Sequence, residues 1–171
     1  MKIAAICLVG IALAGVGAES HVQLNPAPQG AWRNIQLLRS KPADVENLLR
    51  QPSQSSGYVR MYSLDNYELW VDYYPFDHCR PTYGKTGQWN IPEWTVTEIV
   101  YVPGGSVDFS SLKLDLKEYR KVRESPHVPA MISYVNDSEG VDYTLDEDGK
   151  TLHSIRYFPS SSFQRLRCEE K

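Results

Sequence analysis

Alternating apolar and polar residues recur along the chain and predict β-strands. The clearest run is 67–74, whose side chains would point in turn to the two faces of a sheet. One face would hold Tyr67, Leu69, Val71 and Tyr73, and the other Glu68, Trp70, Asp72 and Tyr74. Five more strands are predicted over 58–64, 95–102, 130–135, 140–145 and 151–158.

A short helix is predicted before the first of these strands. Ser40 is a good N-cap, and Pro42 fits the first helical turn. Val45 and Leu49 fall on one face with Leu48, and Pro52 ends the pattern.

The corresponding position in the second half of the chain is ambiguous. Asp115 and Glu118 have the spacing of a capping box, which favours a helix over 115–122. The alternation of Leu112, Leu114 and Leu116 is typical of a strand, so that alternative stays open.

Two strands end in similar sequences, which predicts an internal repeat. Residues 97–103 read TEIVYVP and residues 153–159 read HSIRYFP, so Ile, Tyr and Pro coincide at a constant offset of 56. Chance similarity between two edge strands is the alternative. Two tandem units of a helix plus three strands would form one antiparallel sheet with the short helices on one face, an α+β fold. The other face of the sheet would be open.

The first residues have the layout of a secretory signal peptide. Lys2 precedes the apolar run 3–16, and Val16 and Ala18 are the small residues that a signal peptidase reads. We therefore expect cleavage after Ala18 and a secreted or periplasmic protein, with no membrane span in the mature chain because the run is too short. Cys7 lies inside the apolar run and not at the cleavage site, so a lipid anchor is not expected.

The predicted organisation has three parts. Residues 1–18 are the signal peptide, and 19–34 form an extended lead-in. Residues 35–171 form a single globular domain made of two similar units, at about 35–103 and 109–160, with a C-terminal tail.

The helix-plus-three-strands order, used twice in an exported protein, resembles the SmpA/OmlA-like and beta-lactamase-inhibitory-protein-like families. The segment that carries the resemblance is LRSKPADVENLL, residues 38–49, which is similar to the short-helix opening of those families. The resemblance implies a protein-binding or envelope-assembly role without chemistry, and it transfers no functional residue.

Composition and charge exclude several classes of function. The 171 residues include 18 Lys and Arg against 21 Asp and Glu, a formal charge of -3. Removing the signal peptide removes Lys2 and leaves 17 - 21 = -4. This small charge predicts neither a nucleic-acid partner nor an anionic membrane surface. A hydrophobic content of 42% is sufficient for a packed core and excludes a disordered chain.

Signal cleavage leaves Cys79 and Cys168, an even pair in a protein sent to an oxidising compartment. We expect a disulfide between them and no metal site. Closing so long a loop stabilises the fold by on the order of 4 kcal/mol in the chain-entropy model.

The sequence contains no recognisable catalytic arrangement. The pattern Gly-x-Ser-x-Gly is absent, and the four His occur in four different contexts. Asp77, His78 and Cys79, with Asp72, could supply zinc ligands, but the pairing of Cys79 in a disulfide is favoured. We therefore expect no enzyme, no catalytic residue, no cofactor and no bound metal.

Aromatic side chains supply the candidate binding residues. The chain holds 11 Tyr, 4 Trp and 4 Phe, and Tyr and Trp are frequent in recognition surfaces. The candidates are Trp70, Asp72 and Tyr74 on the outer strand face, with Tyr83, Trp89 and Trp94 from the long segment 75–94. Alternatively, Trp89 and Trp94 fold back as a cap on the core.

These features predict an exported, non-catalytic binding or envelope-associated module. Its partner would be a secreted or envelope protein, or a peptide, recognised through the aromatic sheet face and loop. One alternative is an inhibitor of a secreted or periplasmic enzyme, which would insert the 75–94 loop into an active site. Another is a purely structural domain whose open face is covered by the lead-in.

Overall fold

Antiparallel strands account for most of the computed structural model, which describes residues 31–79, 88–123 and 131–168. The first two strands, β1 (Ala31–Trp32) and β2 (Ile35–Gln36), form a hairpin and are followed by helix α1 (Pro42–Leu49). The other strands are β3 (Gln54–Ser56), β4 (Val59–Leu64), β5 (Tyr67–Tyr73), β6 (Val96–Pro103), β7 (Arg120–Arg123), β8 (Ile132–Asn136), β9 (Val141–Leu145) and β10 (Leu152–Tyr157). Short 3-10 helices span Phe109–Leu112, Leu116–Glu118 and Ser161–Leu166.

One eight-stranded sheet has the order β3-β4-β5-β6-β10-β9-β8-β7. Its pairs are all antiparallel, so the predicted antiparallel α+β class is confirmed. The six predicted strands are its six central strands, and β3 and β7 add an edge on each side. The sheet is therefore larger than the sequence predicts.

The central pair joins the two halves of the chain. In this pair Ile99 of β6 lies opposite Tyr157 of β10, and Tyr101 lies opposite Ile155. The two similar sequence segments are thus direct neighbours at the middle of the sheet.

The helix predicted over 115–122 is wrong. The side chain of Asp115 accepts a hydrogen bond from the Lys117 N–H at 3.2 Å, but the helical turn is a single 3-10 turn over Leu116–Glu118. Tyr119 is already extended, and β7 pairs with β8 from Arg120 onwards. Sheet hydrogen bonds to β8 therefore replace the helical ones.

Helix α1 begins one residue later than the sequence predicts. The N-cap is Lys41, whose N–H donates to the Asp44 carboxylate at 2.8 Å, while the Ser40 hydroxyl accepts from the Gln36 N–H. Val45 is fully buried against the sheet, but Leu48 is 48% exposed. The helix therefore covers the core with a narrower face than its sequence suggests.

The main core lies between the sheet and the side that carries α1 and the β1–β2 hairpin. Its fully buried members come from both halves of the sheet and include Leu69, Val71, Ile99, Leu145 and Ile155. Trp32 is buried in the same core, so residues 31–34, assigned to the lead-in from sequence, belong to the packed domain.

A second, smaller cluster lies beyond the end of β5. Tyr74, Trp89 and Ile91 are buried in it. The Cys79 and Cys168 sulfurs lie 2.06 Å apart, at disulfide bonding distance, in agreement with the predicted pair. The C-terminal segment is thereby tied to the segment that follows β5.

Candidate functional site

The sheet face opposite the main core carries one continuous row of side chains across seven strands. The register places these residues side by side in the order Met61, Trp70, Val100, Arg156, Asp142, Val135 and Arg120. We call this the central row. At about 4.8 Å per strand, Trp70 and Asp142 are about 14 Å apart.

The two halves of the central row differ in chemistry. Over β4, β5 and β6 it is apolar, and Trp70 is 44% exposed, one of three large apolar side chains exposed among the described residues. Over β10, β9, β8 and β7 three of its four side chains are charged, with Val135 as the exception, and this half forms the floor of a groove of about 430 Å³. We call this the open-face groove. Its lining includes Glu98, Asp142, Arg156, Trp89 and Arg167.

Asp142 is a buried carboxylate at the bottom of the open-face groove. Its side chain is only 3% exposed, and its Oδ2 accepts a hydrogen bond from Arg156 Nη2 at 2.7 Å. Its Oδ1 has no hydrogen-bond partner within the described part of the chain. A buried oxygen without a donor costs free energy, because it has lost water and gained nothing.

Glu98 of β6 lines the same groove and lies opposite Asp72 on the neighbouring strand β5. Burial raises the pKa of Asp72 above its ordinary value. Burial also raises the pKa of Glu98, where attraction by Arg156 opposes the shift and the negative charges of Asp72 and Asp142 add to it. Arg156 Nη1 is 3.9 Å from Glu98 Oε2, a loose ion pair. Glu98 and Asp142 therefore share one guanidinium, and Asp72 lies opposite Glu98 without contact to that guanidinium.

Ser133 and a stacked Arg–Trp pair complete the lining of the groove. Ser133 and Thr144, both buried, share a hydrogen bond of 3.0 Å between their hydroxyls. The guanidinium of Arg167 lies 3.7 Å from the ring centroid of Trp89. Charged and aromatic groups around a polar floor can hold a ligand by hydrogen bonds and apolar contact together.

The structure brings only part of the predicted aromatic set onto this face. Trp70 and Asp72 lie on it, and Trp89 lines the open-face groove although its side chain is only 6% exposed. Tyr74 is buried, with its hydroxyl accepting from the Trp89 N–H at 2.9 Å. Trp94 lies on the core side against Tyr58, at 4.5 Å between ring centroids. Tyr83 lies outside the described residues.

Sequence reasoning missed Glu98, Asp142 and Arg156. Each is a charged side chain within a predicted strand, and that charge is the signal that could have found them. Their convergence depends on the pairing of β6 with β10 and of β10 with β9, which no local pattern reveals.

His78, His153 and the acidic turn 146–149 take part in local hydrogen bonds. His78 Nδ1 lies 3.0 Å from Asn90 Oδ1 at the surface beside the disulfide, and His153 Nδ1 lies 2.9 Å from Asp146 Oδ1. Asp148 caps its own turn by accepting from the Lys150 and Thr151 N–H groups.

Among residues 31–79, 88–123 and 131–168, no group of three or more His, Cys, Asp or Glu is placed to hold a metal ion. Every helix in those same ranges is too short or too polar to cross a membrane.

Comparison with solved structures gives a distant similarity. The DUF4309 family protein YjgB from Bacillus subtilis subsp. subtilis str. 168 has a TM-score of 0.51 and 17% sequence identity. The match covers 78% of this chain and 86% of that chain. At this identity the similarity shows the fold alone. No family model matches the chain, and neither does any curated protein.

Proposed function

We propose that this chain is an exported, non-catalytic binding module that recognises a protein or peptide across the open face of its sheet. The observation that carries the proposal is the 44% exposure of Trp70 on a sheet face that also bears a charged groove. Export rests on the signal-peptide pattern of residues 1–18.

Trp70 has the properties of an interface anchor. Its neighbours across the strands are Met61 and Val100, so it stands in a small apolar patch. The backbone beneath it is held by strands on both sides, so binding does not have to order a flexible loop. Burial of an exposed indole in a rigid patch is a common source of binding energy in protein interfaces.

The proposal includes two equivalent units of a helix or helical turn plus three strands. The register of β6 with β10 supports it. Adding 56 to the residue number on β6 and subtracting 56 from the number on β10 converts the pair Ile99–Tyr157 into the pair Ile155–Tyr101, which is also observed. The strand order, in which β4-β5-β6 is followed by β10-β9-β8, gives further support. In this arrangement Trp70 of one unit is equivalent to Asp142 of the other. One unit would then contribute the apolar half of the binding face, and the other the charged half.

A capture experiment tests the recognition of a protein partner. The oxidised chain is immobilised and exposed to envelope and culture-medium proteins of its source, beside the variants Trp70→Ala and Leu48→Ala. Leu48 is the matched control, because it is 48% exposed but lies on α1, on the other side of the sheet. We expect one protein to be retained by the unaltered chain and by Leu48→Ala, and lost with Trp70→Ala.

The retained protein is then purified and its affinity measured directly. Loss of an interface anchor is expected to weaken Kd by about 30-fold, the equivalent of about 2 kcal/mol. Equal affinity for Trp70→Ala and the unaltered chain would contradict the proposal. So would the absence of any specifically retained protein.

A further inference from the structure

We propose that the partner presents a basic side chain, Lys or Arg, to the carboxylate of Glu98 in the open-face groove and to that of Asp72, which lies opposite Glu98 on the neighbouring strand. This inference rests on the proposed function and names the chemistry of its partner. It follows from the charges on the face, from an unpaired oxygen beneath them and from the position of Trp70.

The carboxylates around Glu98 outnumber the cations that contact them in the described structure. Asp72 lies on β5, Glu98 on β6 and Asp142 on β9, and Arg156, on β10 between β6 and β9, is the cation in contact with Glu98 and Asp142. Asp72 has no ion pair within the described part of the chain. Carboxylates removed from water require a nearby cation, and one guanidinium leaves this group with two negative charges in excess.

Arg156 lies between two carboxylates, those of Asp142 and Glu98. It donates to Asp142 Oδ2 at 2.7 Å and lies 3.9 Å from Glu98, while Asp142 Oδ1 stays without a donor in the described structure. A guanidinium can bind both oxygens of one carboxylate in a fork geometry. An incoming cation beside Glu98 would allow Arg156 to turn fully towards Asp142 and satisfy both oxygens. Binding would therefore give Asp142 Oδ1 the hydrogen-bond donor that it lacks in the free protein.

The surface beside the carboxylates of Asp72 and Glu98 fits the stem of a basic side chain. Trp70 and Asp72 are two residues apart on one face of β5, a spacing of about 7 Å. The stem of a Lys or Arg lying on the Trp70 ring would carry its charged head to Asp72 and Glu98. Attraction between a cation and an indole ring adds to the contact.

An anionic ligand is the competing possibility, because Arg120, Arg156 and Arg167 all line the groove. Arg120 is paired with Asp137 at 3.2 Å and Arg156 with Asp142, so two of these three cations already have counter-charges. Arg167 is stacked on Trp89. Asp72 and Glu98, the charged groups of the proposed site beside Trp70, carry negative charge, which favours a cationic ligand over an anionic one.

Peptide titration tests the inference. The purified, oxidised chain is titrated with acetylated and amidated tri-lysine and tri-arginine, and with tri-glutamate as the opposite charge, while the Trp70 indole resonance is followed by NMR. The Trp70→Phe variant assigns that resonance. Glu98→Gln and Asp72→Asn remove one charge each with little change of shape, and Asp65→Asn is the control, in the exposed turn between β4 and β5.

We expect saturable shifts with the basic peptides at a Kd on the order of 1 mM, weakened about tenfold by Glu98→Gln and unchanged by Asp65→Asn. Absence of saturation with both basic peptides would overturn the inference. Equal affinity for Glu98→Gln and the unaltered chain would do so as well. Preferential binding of tri-glutamate would assign the groove to an anion instead.

The captured partner separates this inference from the proposed function. If the partner is lost with Trp70→Ala but binds Glu98→Gln and Asp72→Asn as tightly as the unaltered chain, the open face recognises a protein without a basic anchor. In that case only the inference fails. If the peptides bind as expected but no protein is retained in a way that requires Trp70, the proposed function fails. The open face is then a site for a basic group without an identified role in protein recognition.

Discussion

Asp72 is a half-buried carboxylate, and burial raises its pKa above the ordinary value of 3.8. A raised pKa means that the folded state holds the proton more tightly than the unfolded state does. The stability of the fold therefore falls as the pH rises from 3.8 through the raised pKa, and the loss is complete once the carboxyl is ionised in both states.

Replacing Asp72 by Asn removes this penalty. We expect Asp72→Asn to unfold with a larger free energy than the unaltered chain at neutral pH, and the difference to shrink towards zero below pH 3.8. Urea denaturation at a series of pH values measures it, with Asp65→Asn as an exposed control. A lower free energy of unfolding for Asp72→Asn than for the unaltered chain at neutral pH would show instead that the Asp72 charge stabilises the fold.

The same residue connects stability with recognition. A charged Asp72 beside Glu98 weakens the free protein and strengthens its attraction for a cation. Sites that bind are often less stable than a neutral replacement would be, because the groups are arranged for the ligand and not for the fold.

At the scale of elements, the strands with clear alternation could be predicted, and the edges of the sheet could not. All three residues of β3 are exposed, and β7 reads RKVR, so neither strand shows an alternating apolar pattern. The helix expected at Asp115 failed because a local capping signal competes with the pairing of β7 to β8, a contact made between distant residues.

The site follows the same division. Trp70 and Asp72 share a face of one strand, and alternation alone places them there. Glu98, Asp142 and Arg156 come from three strands, and the order β6-β10-β9 that joins them is a property of the whole sheet. The sequence therefore predicts which side chains share a face of one strand, but it does not predict which side chains of different strands lie side by side.

The turn between β8 and β9 packs directly on the end of β10. Gly140 has a φ of +70°, donates its N–H to the Asn136 carbonyl at 2.9 Å and accepts from the Phe158 N–H at 2.9 Å. A Cβ at this position would overlap the Phe158 carbonyl oxygen and lie 2.9 Å from the Ser160 nitrogen. Glycine is required here both by the backbone conformation and by the close approach of another segment.

Gly140→Ala is expected to lower the free energy of unfolding by about 3 kcal/mol, through backbone strain and displacement of the β10 end. The matched control is Gly57→Ala, since Gly57 has a φ of +56° but nothing within 4 Å of its would-be Cβ. That change is expected to cost only about 1 kcal/mol. Urea denaturation compares the two variants. An equal decrease in the free energy of unfolding would mean that the backbone at Phe158 moves away from the added Cβ without destabilising the fold.

At the scale of the whole molecule, the two halves share one core and one central strand pair. Leu69 and Val71 of the first half and Leu145 and Ile155 of the second belong to the same buried cluster. The β6–β10 pair hydrogen-bonds the halves together along their middle strands. Separating them would expose that core and leave two open sheet edges, so neither half is expected to persist alone.

We therefore expect a single cooperative unfolding transition, in which amides of β5 and β9 exchange with the same opening free energy and those of β6 and β10 are among the slowest. Ile155 is 2% exposed at the central pair, and Ile155→Ala is expected to cost about 3 kcal/mol. Because the core is shared, the opening free energy should fall by the same amount at the amides of Leu69 and Tyr143. Tyr143 lies on a strand of the second half, as Ile155 does, whereas Leu69 lies on a strand of the first half. Hydrogen exchange followed by NMR measures both. If Ile155→Ala lowered protection at Tyr143 and left Leu69 unchanged, the halves would be independent folding units joined at an interface, and their apolar and charged faces could move relative to each other.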